Sequence, residues 1–380
     1  MRKEYLFTPG PTPIPAKVAA VQAEDLVYHR RKDYHEIYER IVTNLRPFFG
    51  TGQPIILITG SGTAAMEAAV ANVVSPGDRV VVVRSGFFGD RWADMCKAFG
   101  VMVRSVDVEW GRAVNPRLIE QRLEEEGGKN TRAVFCTFVD TSTGTVNDIE
   151  AIGEVVKKYD ALLVVDAVSG VGCIDFHMDE WGVDVAISAT QKGFMSPPGI
   201  SIITLSTDGW RVCEHTKNHR YYFDLTRYRE NYDKFEPPYT PAINTVRALD
   251  VALQAMNEEG PKQVFARHER VARAARAAVS ALGLSVFPMN PADVLTVFKP
   301  PDEIAAVELR DHIYKKYGVY FAGGQGQLKG KVIRIGHMGA VTSIDILGAL
   351  GALEMGLADL GYDGRQGQGI TVALEILRNE

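Results

Sequence analysis

The sequence predicts an α/β protein in which a large domain with a mainly parallel sheet precedes a smaller α+β domain. Up to residue 206, β-rich apolar runs alternate with helix-like stretches, and the runs include PIILITG, DRVVVVRSG, TRAVFCTFVD and ALLVVDAV. Several of these runs are apolar throughout, which is typical of strands covered on both faces of a parallel sheet. Repeated alternation of strand and helix indicates the α/β class.

The helical elements and the domain limits follow from the same periodicity. Between the apolar runs lie TAAMEAAVANVV, GDRWADMCKAFG, NPRLIEQRLEEEG and IEAIGEVVKKYD. After the irregular connection YYFDLTRYRENYDKFEPPYTPAIN, helical spacing returns in VFARHERVARAARAAVSALG and SIDILGALGALEMGLADLG, with strand candidates VLTVF and KVIRIG between them. We predict an N-terminal arm over residues 1–20, a large domain over 21–245 and a small C-terminal domain over 246–380.

The composition is that of a globular protein and argues against several classes of function. The 380 residues carry a formal net charge of −5, so no basic field attracts nucleic acid. No apolar run approaches the roughly 20 residues that cross a bilayer, and the start of the chain lacks the apolar stretch of a signal peptide, so we expect a cytoplasmic protein outside the membrane. No CxxC pair suggests a metal, and we expect reduced, buried thiols at Cys96, Cys136, Cys173 and Cys213.

The stretch ITGSGTAA, between a predicted strand and a predicted helix, is a candidate phosphate-binding loop. Gly60, Gly62 and Ala65 fit the loose GxGxxG/A pattern, whose glycines expose backbone N–H groups beside a helix N-terminus. A nicotinamide dinucleotide would require an acidic residue about 20 positions further on, but the next strand ends in Arg84. NAD is therefore disfavoured and NADP only weakly allowed. The pattern indicates a phosphate group, and a plain tight turn stays open as the alternative.

A carboxylate and a lysine follow two later strands. Asp166 ends the run LLVVD, and Lys192 comes 26 residues later between the apolar segments AISA and FMSPPGI. Groups at the carboxyl ends of parallel strands converge on one crevice. An aspartate at a strand end is often a cap, and a lone lysine is usually solvated. Between these apolar flanks, however, burial of a lysine charge would cost free energy, which favours a functional role for the amine.

A phosphate loop, a strand-end carboxylate and a partly desolvated lysine together match the parts of pyridoxal 5′-phosphate. This cofactor has a phosphate, a basic ring nitrogen and an aldehyde that lysine converts to a Schiff base. A carboxylate keeps the ring nitrogen protonated, so the ring can accept electrons from a carbanion at the substrate Cα. The residues therefore predict pyridoxal phosphate as the cofactor.

The motifs resemble those of the class V, fold-type I aminotransferases of the alanine:glyoxylate and serine:pyruvate aminotransferase family. The resemblance covers most of the chain, in the order TPGPTPIP, GSGTAAMEA, SGFFGDRW, DTSTGT, VVDAVSG, SATQKGFMSPPG, YTPAIN and IRIGHMG. It implies that Lys192 holds the cofactor as a Schiff base and then moves the proton between Cα and C4′. It also implies that Asp166 holds the pyridine nitrogen, with Val168 on one ring face and Phe88 stacked on the other. A place in the core is the alternative for Phe88.

The same resemblance implies a phosphate site that two subunits share. Thr240 matches a residue that relatives lend to the phosphate from the neighbouring subunit, which implies a homodimer with shared active sites. Some relatives carry a tyrosine three residues earlier, where this chain has Pro237. Within one subunit, backbone and side-chain donors would meet the phosphate from Ser61, Gly62, Thr63 and Gln191.

Other residues are implied around the substrate. Arg334 would bind the α-carboxylate through its planar two-donor fork, which suits a group common to both substrates of a transamination, and a strand-end surface arginine is the alternative. Gly10 would let the N-terminal arm pass close to the substrate. Ser142 would hydrogen-bond the cofactor near its ring hydroxyl or nitrogen, or else cap the next helix. The sequence does not decide whether substrate is contacted by His29, Arg30 or His337.

The implied activity is a ping-pong transfer of an amino group from a small amino acid, such as alanine or serine, to a 2-oxo acid such as glyoxylate or pyruvate. A rival within the fold takes free pyridoxamine as amine donor with pyruvate. A cysteine desulfurase is disfavoured, because it needs a cysteine on a loop of the smaller domain and all four cysteines precede residue 214. A nucleotide-binding oxidoreductase built on GSGTAA is the alternative from another class. The sequence does not identify the donor or the acceptor.

Overall fold

The computed structural model describes residues 3–127, 130–362 and 365–378. Within these ranges the strands are β1 (Tyr5–Phe7), β2 (Ile55–Gly60), β3 (Arg79–Arg84), β4 (Met102–Asp107), β5 (Thr131–Thr137), β6 (Val139–Asp140), β7 (Thr145–Val146), β8 (Leu162–Asp166), β9 (Val185–Ala189), β10 (Gly199–Leu205), β11 (Ser285–Val286), β12 (Leu295–Lys299), β13 (Val319–Gly323) and β14 (Ile333–Gly336). The α-helices are α1 (Ala16–Ala20), α2 (Lys32–Phe49), α3 (Gly62–Val73), α4 (Phe87–Ala98), α5 (Pro116–Glu125), α6 (Ile149–Val156), α7 (Thr207–His215), α8 (Leu225–Glu230), α9 (Ile243–Glu259), α10 (Pro261–Ala281), α11 (Ala306–Tyr317), α12 (Ser343–Asp359) and α13 (Gln368–Arg378).

The large domain is built on a sheet to which the described ranges contribute seven strands, in the order β2-β10-β9-β8-β5-β3-β4. β10 runs antiparallel to both of its neighbours, and the other pairs are parallel. Alternate residues of β3 enter two separate apolar cores, with Val81 and Val83 on one face and Val80 and Val82 on the other. The strand is apolar throughout because both faces of the sheet are covered. The predicted mainly parallel sheet is confirmed.

The smaller domain has its own sheet, which in the described part of the chain consists of five strands in the order β1-β13-β14-β12-β11. β1 comes from the start of the chain and pairs in parallel with β13. Phe7 of this strand packs in the same apolar core as Phe298 and Phe321. The predicted smaller α+β domain is confirmed, with a first strand supplied by the N-terminal arm. The residue limits of the domains stay predictions.

The arm then runs from the small domain to the turn that carries Lys192. The backbone N–H of Thr12 donates to the Gln191 oxygen at 3.2 Å, and the Thr12 hydroxyl donates to the Lys192 oxygen at 3.1 Å. The β1 end of the arm is held by the small-domain sheet. Residues 8–12 therefore connect the two domains directly beside the lysine.

The carboxyl ends of the central strands lie along one edge of the sheet. β2 ends at Gly60, β8 at Asp166 and β9 at Ala189, so the loops that follow them share that edge. This edge is where the sequence predicts the phosphate loop, the carboxylate and the lysine.

The structure also bears on the predictions about membranes and cysteines. None of the helices in the described ranges is long and apolar enough to span a membrane. All four cysteines are free and buried, and burial raises the pKa of Cys96 and Cys173 to about 12. The predicted burial of the thiols is confirmed.

Candidate active site

Lys192 lies in the turn between β9 and β10, two residues before the buried Phe194. Its amine donates a hydrogen bond to the backbone oxygen of Pro9 at 2.5 Å. Burial lowers the pKa of Lys192 to about 8, against the opposing effect of Asp166 and with a smaller contribution from the Arg334 charge. A larger fraction of this amine is therefore neutral near pH 7 than in an ordinary lysine, as a nucleophile or a proton acceptor requires.

Gly10 lies against the side chain of this lysine. Its φ of +112° is a conformation that residues with a side chain rarely adopt. A Cβ atom at this position would lie 2.5–2.6 Å from Cδ, Cε and Nζ of Lys192. Glycine is therefore required here by both the backbone conformation and the space that the lysine occupies.

Asp166 ends β8, beside the strand that leads to Lys192. Its side chain is buried, and its Oδ1 accepts a hydrogen bond from the backbone N–H of Val168 at 3.0 Å. Burial raises the pKa of Asp166 to about 6, partly offset by the Val168 hydrogen bond and by the positive charges of Lys192 and Arg91. Because burial disfavours an unpaired carboxylate, a cationic group bound in the crevice would stabilise the ionised form of Asp166.

The candidate phosphate loop forms the start of α3. Ser61 occupies the N-cap position but its side chain makes no capping hydrogen bond, so the hydroxyl is available to a ligand. The first N–H groups of an α-helix, here those of Gly62 and Thr63, have no partner within the helix and carry a partial positive charge. Gly62 lies close to Val168, whose methyl groups would be 3.1–3.2 Å from a Cβ at this glycine.

These groups line one cavity of about 280 Å³. The predicted residues on its wall are Gly10, Ser61, Gly62, Thr63, Phe88, Asp166, Val168, Gln191 and Lys192. Among the residues that the structure describes, Oε1 of Gln191 is buried without a hydrogen-bond partner. The cavity thus combines a helix start, an amide side chain, an acid and a lysine, and these are groups that the phosphate, ring nitrogen and aldehyde of pyridoxal phosphate can engage.

A second cavity, of about 410 Å³, adjoins the first and shares Gly10, Pro11, Phe88 and Lys192 with it. Arg334 lies on its wall, largely buried. Burial lowers the pKa of Arg334 to about 10, so the guanidinium stays protonated at neutral pH. A fixed cation next to the lysine can bind a substrate carboxylate.

Ser142 is not on the wall of either cavity. Its hydroxyl donates to Oδ1 of the fully buried Asp140 at 2.5 Å and accepts from the Phe87 N–H at 3.0 Å. Oδ2 of Asp140 accepts from the Phe88 N–H at 3.0 Å. Asp140 and Ser142 thus hold the start of α4, which presents Phe88 to the cavity.

The other predicted residues also lie away from the two cavities. Thr240 is exposed and precedes α9. His29 is buried and Arg30 forms an ion pair with Glu236. His337 is fully buried with Nε2 within 3.0 Å of the Thr296 hydroxyl, and burial lowers its pKa well below the ordinary value of 6.5.

Several residues that line the first cavity have no role predicted from the sequence. The clearest is Arg91, which follows Phe88 by three positions and therefore lies on the same face of α4. That spacing within SGFFGDRW is the signal that could have found it. The remaining residues on the wall are Pro11, Met66, Val139, Ser169 and Pro198.

A larger cavity, of about 650 Å³, lies elsewhere in the large domain. It is bordered by Leu162 at the beginning of β8 and by Arg132 near the beginning of β5, at the sheet edge opposite Lys192. Arg132 pairs with Asp78 at 3.5 Å, and Asp184 accepts hydrogen bonds from Leu163 and Ser206. These polar groups already have partners within the protein. The first cavity, which Lys192 and Asp166 line, is therefore the better candidate for chemistry.

The fold and the lysine, aspartate and helix-start loop on one sheet edge define a lysine-dependent transferase of fold type I. The chain belongs to the class-V aminotransferase family, because the family model described as "Aminotransferase class-V" matches residues 4–298. It is a transaminase, which moves an amino group between an amino acid and a 2-oxo acid. Enzymes of this family use pyridoxal phosphate.

Relatives match over nearly the whole chain. The "Soluble hydrogenase, small subunit" of Synechococcus sp. is 38% identical over 99% of this chain and 98% of its own length. The L-aspartate–glyoxylate aminotransferase of Paracoccus denitrificans is 35% identical, over 98% of this chain and 96% of its own. The crystal structure of ureidoglycine–glyoxylate aminotransferase from Bacillus subtilis has a TM-score of 0.95 at 28% identity, covering 100% of this chain and 99% of that one.

Proposed function

We propose that the protein is a pyridoxal-phosphate-dependent aminotransferase that transfers the amino group of a small amino acid to glyoxylate or pyruvate in two ping-pong half-reactions. One observation carries the proposal. Lys192, Asp166 and the start of α3 line one cavity, and Arg334 lies in the cavity next to it. The same lysine borders both, so one amine can serve a cofactor and a substrate.

The residues of the first cavity fit pyridoxal phosphate. The phosphate would be held by donors from Ser61, from the first N–H groups of α3 and from the side-chain NH₂ of Gln191, which lies on the same cavity wall. Asp166 would hold the ring nitrogen, and Val168 and Phe88 would enclose the ring. When bound, the cofactor supplies an electron sink for the negative charge that develops at the substrate Cα.

Lys192 is the group that moves the proton. Its lowered pKa leaves Nζ able to take the proton from the substrate Cα near neutral pH and to return one during the reverse half-reaction. Gly10 leaves the space that the side chain needs, and the Pro9 oxygen orients the amine. Arg334 binds the α-carboxylate and so presents Cα to Nζ.

The choice of substrates rests on relatives. Two of the named relatives have glyoxylate in their names, with aspartate and ureidoglycine as the respective partners. Glyoxylate is therefore the acceptor we favour, whereas the donor varies. We keep a small donor such as alanine or serine, which is the donor that the family resemblance implies.

We also propose a homodimer in which Thr240 of each chain completes the phosphate site of the other. Thr240 is exposed and absent from the cavity walls of its own chain, which suits a residue that acts on a neighbouring subunit. Its neighbour Tyr239 belongs to an aromatic group with the exposed Tyr221 and with Tyr222, and such exposed rings suit an interface between subunits.

The test is a single half-reaction without acceptor. The isolated enzyme is mixed with alanine, serine, glycine or aspartate, and the 2-oxo acid formed is quantified. One equivalent of 2-oxo acid per active site, followed by turnover when glyoxylate or pyruvate is added, supports the proposal. Formation of no 2-oxo acid from any donor contradicts it. Turnover with only pyridoxamine and pyruvate would establish the rival reaction instead.

A further inference from the structure

Arg91 lies on the wall of the first cavity, and the proposed mechanism gives this cation no role. It lies in α4, and its Nη1 donates a hydrogen bond to the Thr63 hydroxyl oxygen at 3.0 Å. Its guanidinium carbon lies 4.8 Å from the centre of the Phe88 ring. One side chain therefore touches the phosphate loop and also the aromatic ring expected to cover the cofactor.

Arg91 has no acidic partner among the residues that the structure describes. The nearby Asp90 accepts from Arg84 at 2.7 Å, and Asp94 pairs with Lys97 at 3.9 Å. The charge of Arg91 instead reaches into the cavity, where it adds to the lowering of the Lys192 pKa and partly offsets the rise in the Asp166 pKa. A cation that lines a cavity without a counter-ion suits an anionic ligand there.

The hydrogen bond also orients the Thr63 hydroxyl. Because its oxygen accepts from Arg91, the hydroxyl proton is left to donate in another direction, and in the described ranges no acceptor takes it. Thr63 lies in the first turn of α3, beside the N–H groups that would meet the phosphate. The Arg91 charge strengthens the donor character of that hydroxyl.

We propose that Arg91 is the charge partner of the cofactor phosphate, acting through the Thr63 hydroxyl, and that it makes the cavity selective for phosphorylated over phosphate-free pyridoxal compounds. This inference rests on the proposed function. It assigns a positioning role, since Arg91 acts on the phosphate through Thr63. It also disfavours the rival reaction, because free pyridoxamine has no phosphate to pair with this cation.

The test measures binding to cofactor-free protein and needs no turnover. Pyridoxine 5′-phosphate and pyridoxine lack the aldehyde, so their dissociation constants report the non-covalent contacts alone. In Arg91→Met we expect binding of the phosphate ester to weaken about 10-fold, because a charge-assisted contact is lost at a partly exposed site. Pyridoxine binding should stay within about twofold, and Arg91→Lys should recover part of the loss.

Two further variants make the result specific. Arg84→Met removes the same charge from a nearby arginine that is already paired with Asp90 and Asp107, and should leave both constants unchanged. Thr63→Val removes the hydroxyl but keeps Arg91, and should weaken only the phosphate ester. It serves as the second probe if Arg91→Met does not fold.

The outcomes separate the inference from the proposed function. Equal loss for both ligands in Arg91→Met would show that Arg91 only supports Phe88, and no loss for either would show that it has no role; each overturns the inference while the proposed function stands. If the parent protein binds pyridoxine as tightly as its phosphate ester, the selectivity is absent and the inference fails. If the parent binds neither ligand, the proposed function fails as well.

Discussion

The side-chain oxygen of Gln325 accepts a hydrogen bond from Nη1 of Arg334 at 3.2 Å. The guanidinium is also fixed by two backbone oxygens, those of Thr141 at 2.8 Å and Gly323 at 2.7 Å. The backbone contacts hold the plane of Arg334, whereas Gln325 is a side chain that can turn away. A substrate carboxylate that uses Nη1 therefore competes with Gln325.

Replacing Arg334 tests the carboxylate site. In Arg334→Lys we expect kcat/KM for amino acid and 2-oxo acid to fall about 100-fold, because lysine lacks the planar fork that pairs with a carboxylate. Steady-state kinetics with both substrates measure the change. Hydroxylamine, an amine without a carboxylate, should react with the bound cofactor at the parent rate. An equal loss with hydroxylamine would show that the variant damages the site in general.

Replacing Gln325 tests the competition. In Gln325→Leu we expect carboxylates to bind about threefold more tightly, because Nη1 of Arg334 loses its internal acceptor. The measurement is the inhibition constant of propionate, which has the carboxylate of alanine without its amine. Weaker binding in the variant would show instead that Gln325 supports the arginine.

Gly10 tests the space around the lysine, and Gly77 provides a matched control. Gly10→Ala should abolish most activity, because its Cβ would collide with Lys192 and its φ of +112° is strained for alanine. Gly77 has φ +86°, and apart from its own chain neighbours no atom of the described residues lies within 4 Å of the position that a Cβ would occupy, so Gly77→Ala carries backbone strain without the collision. We expect it to lower the melting temperature and leave kcat unchanged. Normal kcat in Gly10→Ala would contradict the assignment.

The pKa values of the lysine and the aspartate are coupled. The negative charge of Asp166 favours protonated Lys192, so Asp166→Asn should lower the lysine pKa below its value of about 8. In cofactor-free protein, the midpoint of the pH dependence of Lys192 carbamoylation by cyanate, followed by peptide mass spectrometry, should shift to lower pH. Lys158, whose pKa is raised by Glu120, should react with an unchanged high midpoint in both proteins. An unchanged or raised midpoint at Lys192 would contradict the coupling.

Residues at strand ends are predictable from the sequence because the strands are recognisable. LLVVD and DVAISA are apolar runs bounded by polar residues, so the positions of Asp166 and Lys192 after parallel neighbours follow from the pattern. The residues of β10 do not indicate its reversed direction, because this strand is as apolar as the parallel strands of the same sheet. Direction depends on the connection, which here is the short turn through Lys192.

Contacts between distant segments are harder to predict. β1 is only three residues long and pairs with β13 more than 300 positions away, so nothing local indicates its sheet. Arg91 and Asp140 look like an ordinary helix charge and an ordinary turn acid. Their places depend on how α4 meets the loop after β5. The family resemblance puts Ser142 at the cofactor, but its hydroxyl is engaged with Asp140, a partner that only the folded turn brings within reach.

The central claim is that Lys192 forms the covalent link to pyridoxal phosphate. The most direct measurement is borohydride reduction of the isolated enzyme, followed by proteolysis and mass spectrometry. We predict one pyridoxyl-phosphate group per chain, on the peptide that contains Lys192, and none in Lys192→Ala. A label on another lysine, or its absence after reconstitution with pyridoxal phosphate, would contradict the assignment.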